Sequence, residues 1–119
     1  MPASRPDNSS LTSRRLAAFA VKTVMETGQP LEQVLAGQPD YRALESRDRA
    51  FTRLIVATTF RRMGQIEAAL KPFIRQKPPK LVYAALQTGA AQIIYLGTPA
   101  HAAVGETLSL THISERTRP

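Results

Sequence analysis

From Leu81 to Leu96 the chain carries no charged residue, and Val82, Ala85, Leu86, Gly89, Ile93 and Leu96 recur at the three- and four-residue spacing of one helical face. A helix this poor in charge must be covered on more than one side, so the segment demands partner helices around it. Gly89 is expected to let one of them approach closely, and Gly97 to end the helix. The same period with the same punctuation runs through the rest of the chain, and no alternating strand pattern bounded by hairpin turns interrupts it. The expectation is an all-α fold, a compact bundle of about five to six helices.

The pattern predicts a first helix from Ser13, its cap, to Gly28, with Leu16, Phe19, Ala20, Thr23 and Val24 on one face. A short second helix runs to about Leu35, and a loop from Gly37 to Glu45 follows. Ser46 is expected to cap the next helix, with Asp48 in its first turn, Arg61 and Arg62 in its last, and an apolar stripe of Phe51, Leu54, Ile55 and Thr58. A segment over 65–75 carries Ile66, Ala69, Leu70, Phe73 and Ile74, with Pro72 implying a kink or an early end. Pro78 and Pro79 separate it from the charge-free helix. Pro99 opens a last helix through Val104 and Leu108 to about Leu110. The organisation expected is a mobile tail over 1–12, a helical domain over 13–110 and a polar tail over 111–119.

At 119 residues the chain has room for one domain with a modest core. It has no cysteine and no Trp, so the core is aliphatic and alanine-rich, and disulfides, thiolate nucleophiles and cysteine-based zinc sites are all excluded. No apolar run approaches the length of a membrane span, and residues 1–11 lack the charged-then-apolar order of a signal peptide, which implies a cytoplasmic protein. The formal net charge is +7, with Arg supplying twelve of the sixteen basic residues. Such a surplus attracts polyanions, and the planar guanidinium suits phosphate.

Particular runs then resemble a known family. Arg14-Arg15-Leu16-Ala17-Ala18-Phe19-Ala20-Val21, followed by Gly28-Gln29-Pro30-Leu31, is similar to the opening of NusB-type domains. Asp48-Arg49-Ala50-Phe51 with Leu54, Ile55, Val56 and Phe60-Arg61 resembles the central helix of the same domain. Gly89-Ala90-Ala91-Gln92-Ile93-Ile94-Tyr95-Leu96 and Pro99-Ala100-His101-Ala102-Ala103-Val104-Gly105-Glu106-Thr107 are most similar to the version fused to 5-methylcytosine methyltransferases of small-subunit ribosomal RNA. The resemblance spans about Ser13 to Leu110 and implies a helical domain with a basic, RNA-contacting surface. The family continues past Glu106-Thr107 with further helices, so a truncated domain is expected, without a methyltransferase domain and without activity of its own.

The candidate RNA-binding residues are Arg5, Arg14, Arg15, Arg61, Arg62, Lys71, Arg75, Lys77 and Lys80. Arg14 and Arg15 are placed in a first helical turn, where the dipole disfavours cations, so an anionic partner is invoked for them. Their replacement is expected to weaken RNA binding without lowering the melting temperature. Arg61 and Arg62 in a last turn need no ligand to explain them. Lys71, Arg75, Lys77 and Lys80 lie in a stretch from Ala68 to Gly105 that contains no acidic residue. Asp48, Phe51, Gly89, Gln92, His101 and Glu106 are assigned structural roles, with Gln92 bonding across helices. Tyr41, Tyr83 and Tyr95 are candidates for stacking on bases where exposed.

One His and one Glu, even with His112, fall short of a metal site, and no glycine-rich loop follows a strand, so neither cofactor nor metal is expected. The competing readings are a free-standing antitermination factor, paired with a small ribosomal protein, and a helical interaction scaffold without an RNA role. Loss of the family's later helices would leave Ala90, Ile94, Val104 and Leu108 as an apolar patch, which makes a homodimer a further expectation.

Overall fold

The structure, a computed structural model, describes the backbone of residues 7–103 and the side chains of residues 10–103. Among the described residues the chain runs through α1 (Asp7–Thr27), α2 (Leu31–Ala36), α3 (Pro39–Ala43), α4 (Ser46–Arg61), α5 (Met63–Leu70) and α6 (Lys80–Tyr95), with a 3₁₀ turn, Lys71–Phe73, after α5. There is no strand among the described residues, and no helix there is long and apolar enough to cross a membrane.

Helix α1 is the spine: α4 and α6 pack along it, and α2 and α3 contact it as well as each other. Alanine makes that close packing feasible. Ala17, Ala18 and Ala20 of α1 and Ala84, Ala85 and Ala91 of α6 are all buried, so backbones approach where larger side chains would hold them apart. Leu16, Val21, Val34, Leu35, Tyr41, Leu44, Ile55 and Val56 fill the space between α1, α2, α3 and α4. Three buried threonine hydroxyls are satisfied within their own helices: Thr52 Oγ1 donates to the Asp48 carbonyl at 2.9 Å, Thr59 to Ile55 at 2.8 Å and Thr88 to Ala84 at 3.0 Å. Gly28 and Gly97 stop α1 and α6 with φ of 74° and 71°, the left-handed conformation that glycine adopts without a Cβ penalty.

Several expectations are corrected. Residues 7–12 are the first turns of α1, not part of a mobile tail, and Ser13 is no cap: it lies fully buried inside the helix, its Oγ donating to the Asp48 carbonyl of α4 at 3.2 Å. That tertiary anchor holds a part of α1 that precedes its apolar period. Residues 39–43 form a helix where a loop was expected, opened by Pro39 in its first turn, where the missing N–H costs nothing. Ser46 also does not cap α4, because its Oγ accepts from Arg49 Nη2 at 3.2 Å and Glu45 occupies the cap position. Tyr41 is buried and therefore unavailable to stack on a base.

The buried faces are broader or rotated relative to the expected stripes. In α4 the core side is Thr52, Ile55, Val56, Thr58 and Thr59, while Leu54 is exposed. In α6 it is Val82, Ala84, Ala85, Gln87, Thr88, Gly89, Ala91 and Gln92, with Ile93 and Ile94 on the surface. Residues 100–103 are helical, as Pro99 implied. Val104, Leu108 and Leu110 lie outside the described residues; of the expected apolar patch, Ile94 is 52% exposed and Ala90 half-buried.

Candidate nucleic-acid interface

The nine candidate cations do not share one environment. Arg5 lies outside the described residues, as does Glu106. Arg14 is tied into the fold: its Nε donates to Gln92 Oε1 at 2.7 Å, and its guanidinium lies 5.7 Å from the centroid of the Phe51 ring. One side chain of α1 thus joins α6 and α4, and Gln92 passes the tie on by donating from Nε2 to the Thr88 carbonyl at 3.1 Å. The dipole argument for an anionic partner fails here, because a helix that begins at Asp7 leaves Arg14 and Arg15 beyond its first turn. Arg15 is exposed and lies beside Asp40 and Gln38 in a shallow groove between α1 and α3.

Other arginines of this half of the molecule are similarly engaged. Arg42 Nη1 donates to the Ala36 carbonyl at 2.6 Å, Arg49 to the Leu44 carbonyl, and Arg53 Nη1 to Tyr41 Oη at 2.9 Å, with Glu32 a further 3.7 Å partner. These bonds close α2 and α3 onto α4. Arg62, at the junction of α4 and α5, sits over Tyr95 with 5.0 Å to the ring centroid. Arg61 beside it is exposed.

The connection from α5 to α6 is different. Lys71, Arg75 and Lys77 are exposed, and among the described residues their side chains have no hydrogen bond or ion pair. Pro72 cannot continue α5, so the chain turns through Lys71–Phe73, closed by Ile74 N–H donating to the Lys71 carbonyl at 3.3 Å. Pro78 and Pro79 then restrict the backbone up to α6. Two adjoining grooves flank this connection. One of about 370 Å³ is lined by Lys71, Ile74, Arg75, Lys77, Pro78 and Tyr83 with Glu67. The other, about 380 Å³, shares Glu67, Lys77 and Tyr83 and runs on to Lys80, Lys22 and Glu26.

Two carboxylates therefore face five cations across these grooves. Glu26 is held below the usual carboxylate range by the Lys22 ammonium, 2.9 Å away, with Lys80 adding to the effect from 3.5 Å. Glu67 accepts from Gln87 Nε2 at 3.3 Å. Burial, and then the nearby Glu67 carboxylate, push the Tyr83 hydroxyl above the ordinary phenol value, so it stands in the groove wall as a neutral group. Along its rim this arrangement presents cations to which an anionic group would be attracted.

Lys22 and Phe73 were not among the sequence candidates. Lys22 lies far from the others in sequence and joins them only because α1 packs on α6. Phe73 was read as part of an apolar period, yet it is 83% exposed on the turn, since the helix that would have turned it inward ends at Leu70. Of the residues assigned structural roles, Gly89 and Gln92 are buried, Phe51 is packed against the core, and Asp48 sits in the first turn of α4. His101 is exposed in the helical residues that follow Pro99.

The NusB family model matches this chain over residues 11–118. Ribosomal RNA small subunit methyltransferase B of Yersinia enterocolitica is 29% identical over 98 residues, which cover 80% of this chain and 22% of that protein. The enzymes of the same name from Cronobacter sakazakii and Salmonella arizonae are 28% and 30% identical, covering 83% and 80% of this chain and 23% and 22% of their own lengths. The chain thus spans less than a quarter of the curated relatives it matches. No solved structure matches it.

Proposed function

The chain belongs to the NusB family, and from that premise we propose that it is an RNA-binding domain without catalysis of its own, which helps a 5-methylcytosine methyltransferase hold small-subunit ribosomal RNA. The observation that carries this reading is the α5–α6 connection. Cations that pair with nothing among the described residues, on an acid-free stretch bordered by grooves, are open to an external polyanion. A positive surface of this kind binds phosphates through counterion release and leaves sequence choice to other contacts. The methyltransferase relatives favour this reading over a free-standing antitermination factor.

The test is fluorescence anisotropy with a labelled single-stranded fragment of small-subunit ribosomal RNA across a salt series. Binding is expected to weaken linearly in log–log form, each phosphate neutralised contributing a slope of about 0.7. No binding at low salt would remove the reading. Because the catalytic step is assigned to another part of a larger protein, S-adenosylmethionine should leave the melting temperature of this chain unchanged.

A further inference from the structure

We propose that Phe73 is a base-stacking platform, so that the α5–α6 connection takes unpaired RNA in preference to duplex; this rests on the RNA-binding reading above. Phe73 is 83% exposed and therefore contributes almost nothing to the core, although it occupies a turn whose backbone is fixed by Pro72 and by the Ile74 N–H bond to the Lys71 carbonyl. A solitary exposed apolar residue is ordinary. This one stands between Lys71 and Arg75, with Lys77 following, and those three cations have no hydrogen bond or ion pair among the described residues.

An aromatic ring set among uncommitted cations matches what a single strand presents, a π-face on every base and a phosphate between successive bases. A paired A-form helix keeps its bases stacked on each other and offers this ring nothing. Protein partners are a poorer fit. The core of a protein interface is depleted in lysine, whereas the turn from Lys71 to Lys77, although Pro72 and Ile74 adjoin Phe73, carries three cations in seven positions. The arrangement puts phosphates on the three cations and a base on the ring, with no requirement for a particular base.

The experiment compares the whole chain with its Phe73→Ala, Phe73→Leu and Phe73→Tyr variants, using a short labelled single-stranded RNA and a hairpin duplex of similar length. Phe73→Ala and Phe73→Leu should each weaken single-strand binding by roughly five- to tenfold, the size of one lost stacking contact. Phe73→Tyr should retain wild-type affinity. The salt slope should stay the same in all three, since no charge is removed, and duplex binding should be unaffected. Equal single-strand affinity for Phe73→Ala, or full rescue by Leu, would overturn the stacking role while leaving RNA binding intact. Failure of the wild-type chain to bind either RNA would overturn both readings at once. Phe73 is too exposed for its loss to unfold the chain, and an unchanged melting temperature verifies this.

Discussion

The two ends of the molecule use positive charge in opposite ways. Around α1, α3 and α4, Arg14, Arg42, Arg49 and Arg53 spend their donors on carbonyls, a glutamine and a phenol of their own fold, and Arg14 also covers an aromatic ring. Around the α5–α6 connection, Lys71, Arg75 and Lys77 bond to nothing among the described residues. Both regions add to the same net charge of +7, but the first commits these four arginines to its own fold, whereas the second holds its three cations in reserve; Arg47 and Arg61 of α4 are exposed cations outside both sets. Net charge is therefore a poor guide to where a polyanion binds. A guanidinium that ties helices together has fixed geometry and fewer free donors, whereas an unpaired ammonium or guanidinium on a turn can follow a flexible strand.

The largest effect expected from breaking this contrast is on stability. Arg14→Gln removes a charged hydrogen bond and a cation–π contact and leaves the Gln92 carbonyl oxygen buried without its donor. We expect a loss of roughly 1–3 kcal/mol, read by urea unfolding. Arg75→Gln, on the other side of the contrast, should change stability by no more than about 0.5 kcal/mol. Equal stability for the two variants would mean that Arg14 is not a structural tie.

A smaller effect sharpens the contrast within the basic region itself. Glu26 partly neutralises Lys22 and Lys80 at the far end of the second groove. Glu26→Gln should release both and tighten RNA binding about two- to threefold at low salt, with the gain vanishing as salt screens it. Its carboxyl should titrate below 4.5 by NMR, since Lys22 favours the ionised form. A carboxylate with a lowered folded pKa contributes its pairing above the unfolded value and loses it as pH falls through the folded one. The Glu26 pairs are thus intact at neutral pH and released only in acid.

How much of this was legible in the sequence depended on how local the cause was. Helix α4 could be placed, because Asp48 in the first turn and Arg61 in the last bracket an apolar period, although that period put Leu54 on the wrong face and Ser46 is not the cap. Gly28, Gly97 and Pro72 marked their stops through backbone chemistry alone. Five-residue α3 offered too few positions for any period, and the opening of α1 depends on a bond between Ser13 and α4 that spacing cannot reveal. The acid-free stretch marked Lys71, Arg75, Lys77 and Lys80 alike, and could not show that Lys80 meets Glu26 of α1. The role of Arg14 was not visible, since its partner Gln92 lies 78 positions away. Phe73 misled for a related reason: it keeps the helical period, but Pro72 ends the helix before that period can turn it inward.

The central claim is that the uncommitted cations of the α5–α6 connection, and not the arginines built into the fold, carry RNA binding. The most direct test measures the salt dependence of single-stranded RNA affinity for the Lys71→Gln, Arg75→Gln, Lys77→Gln triple variant beside that of Arg53→Gln, a single replacement on the committed side. The triple variant should lose about two units of log–log slope, roughly 0.7 for each of its three cations, while Arg53→Gln keeps the wild-type slope. A triple variant with an unchanged slope, or an Arg53→Gln chain that loses as much, would contradict the account.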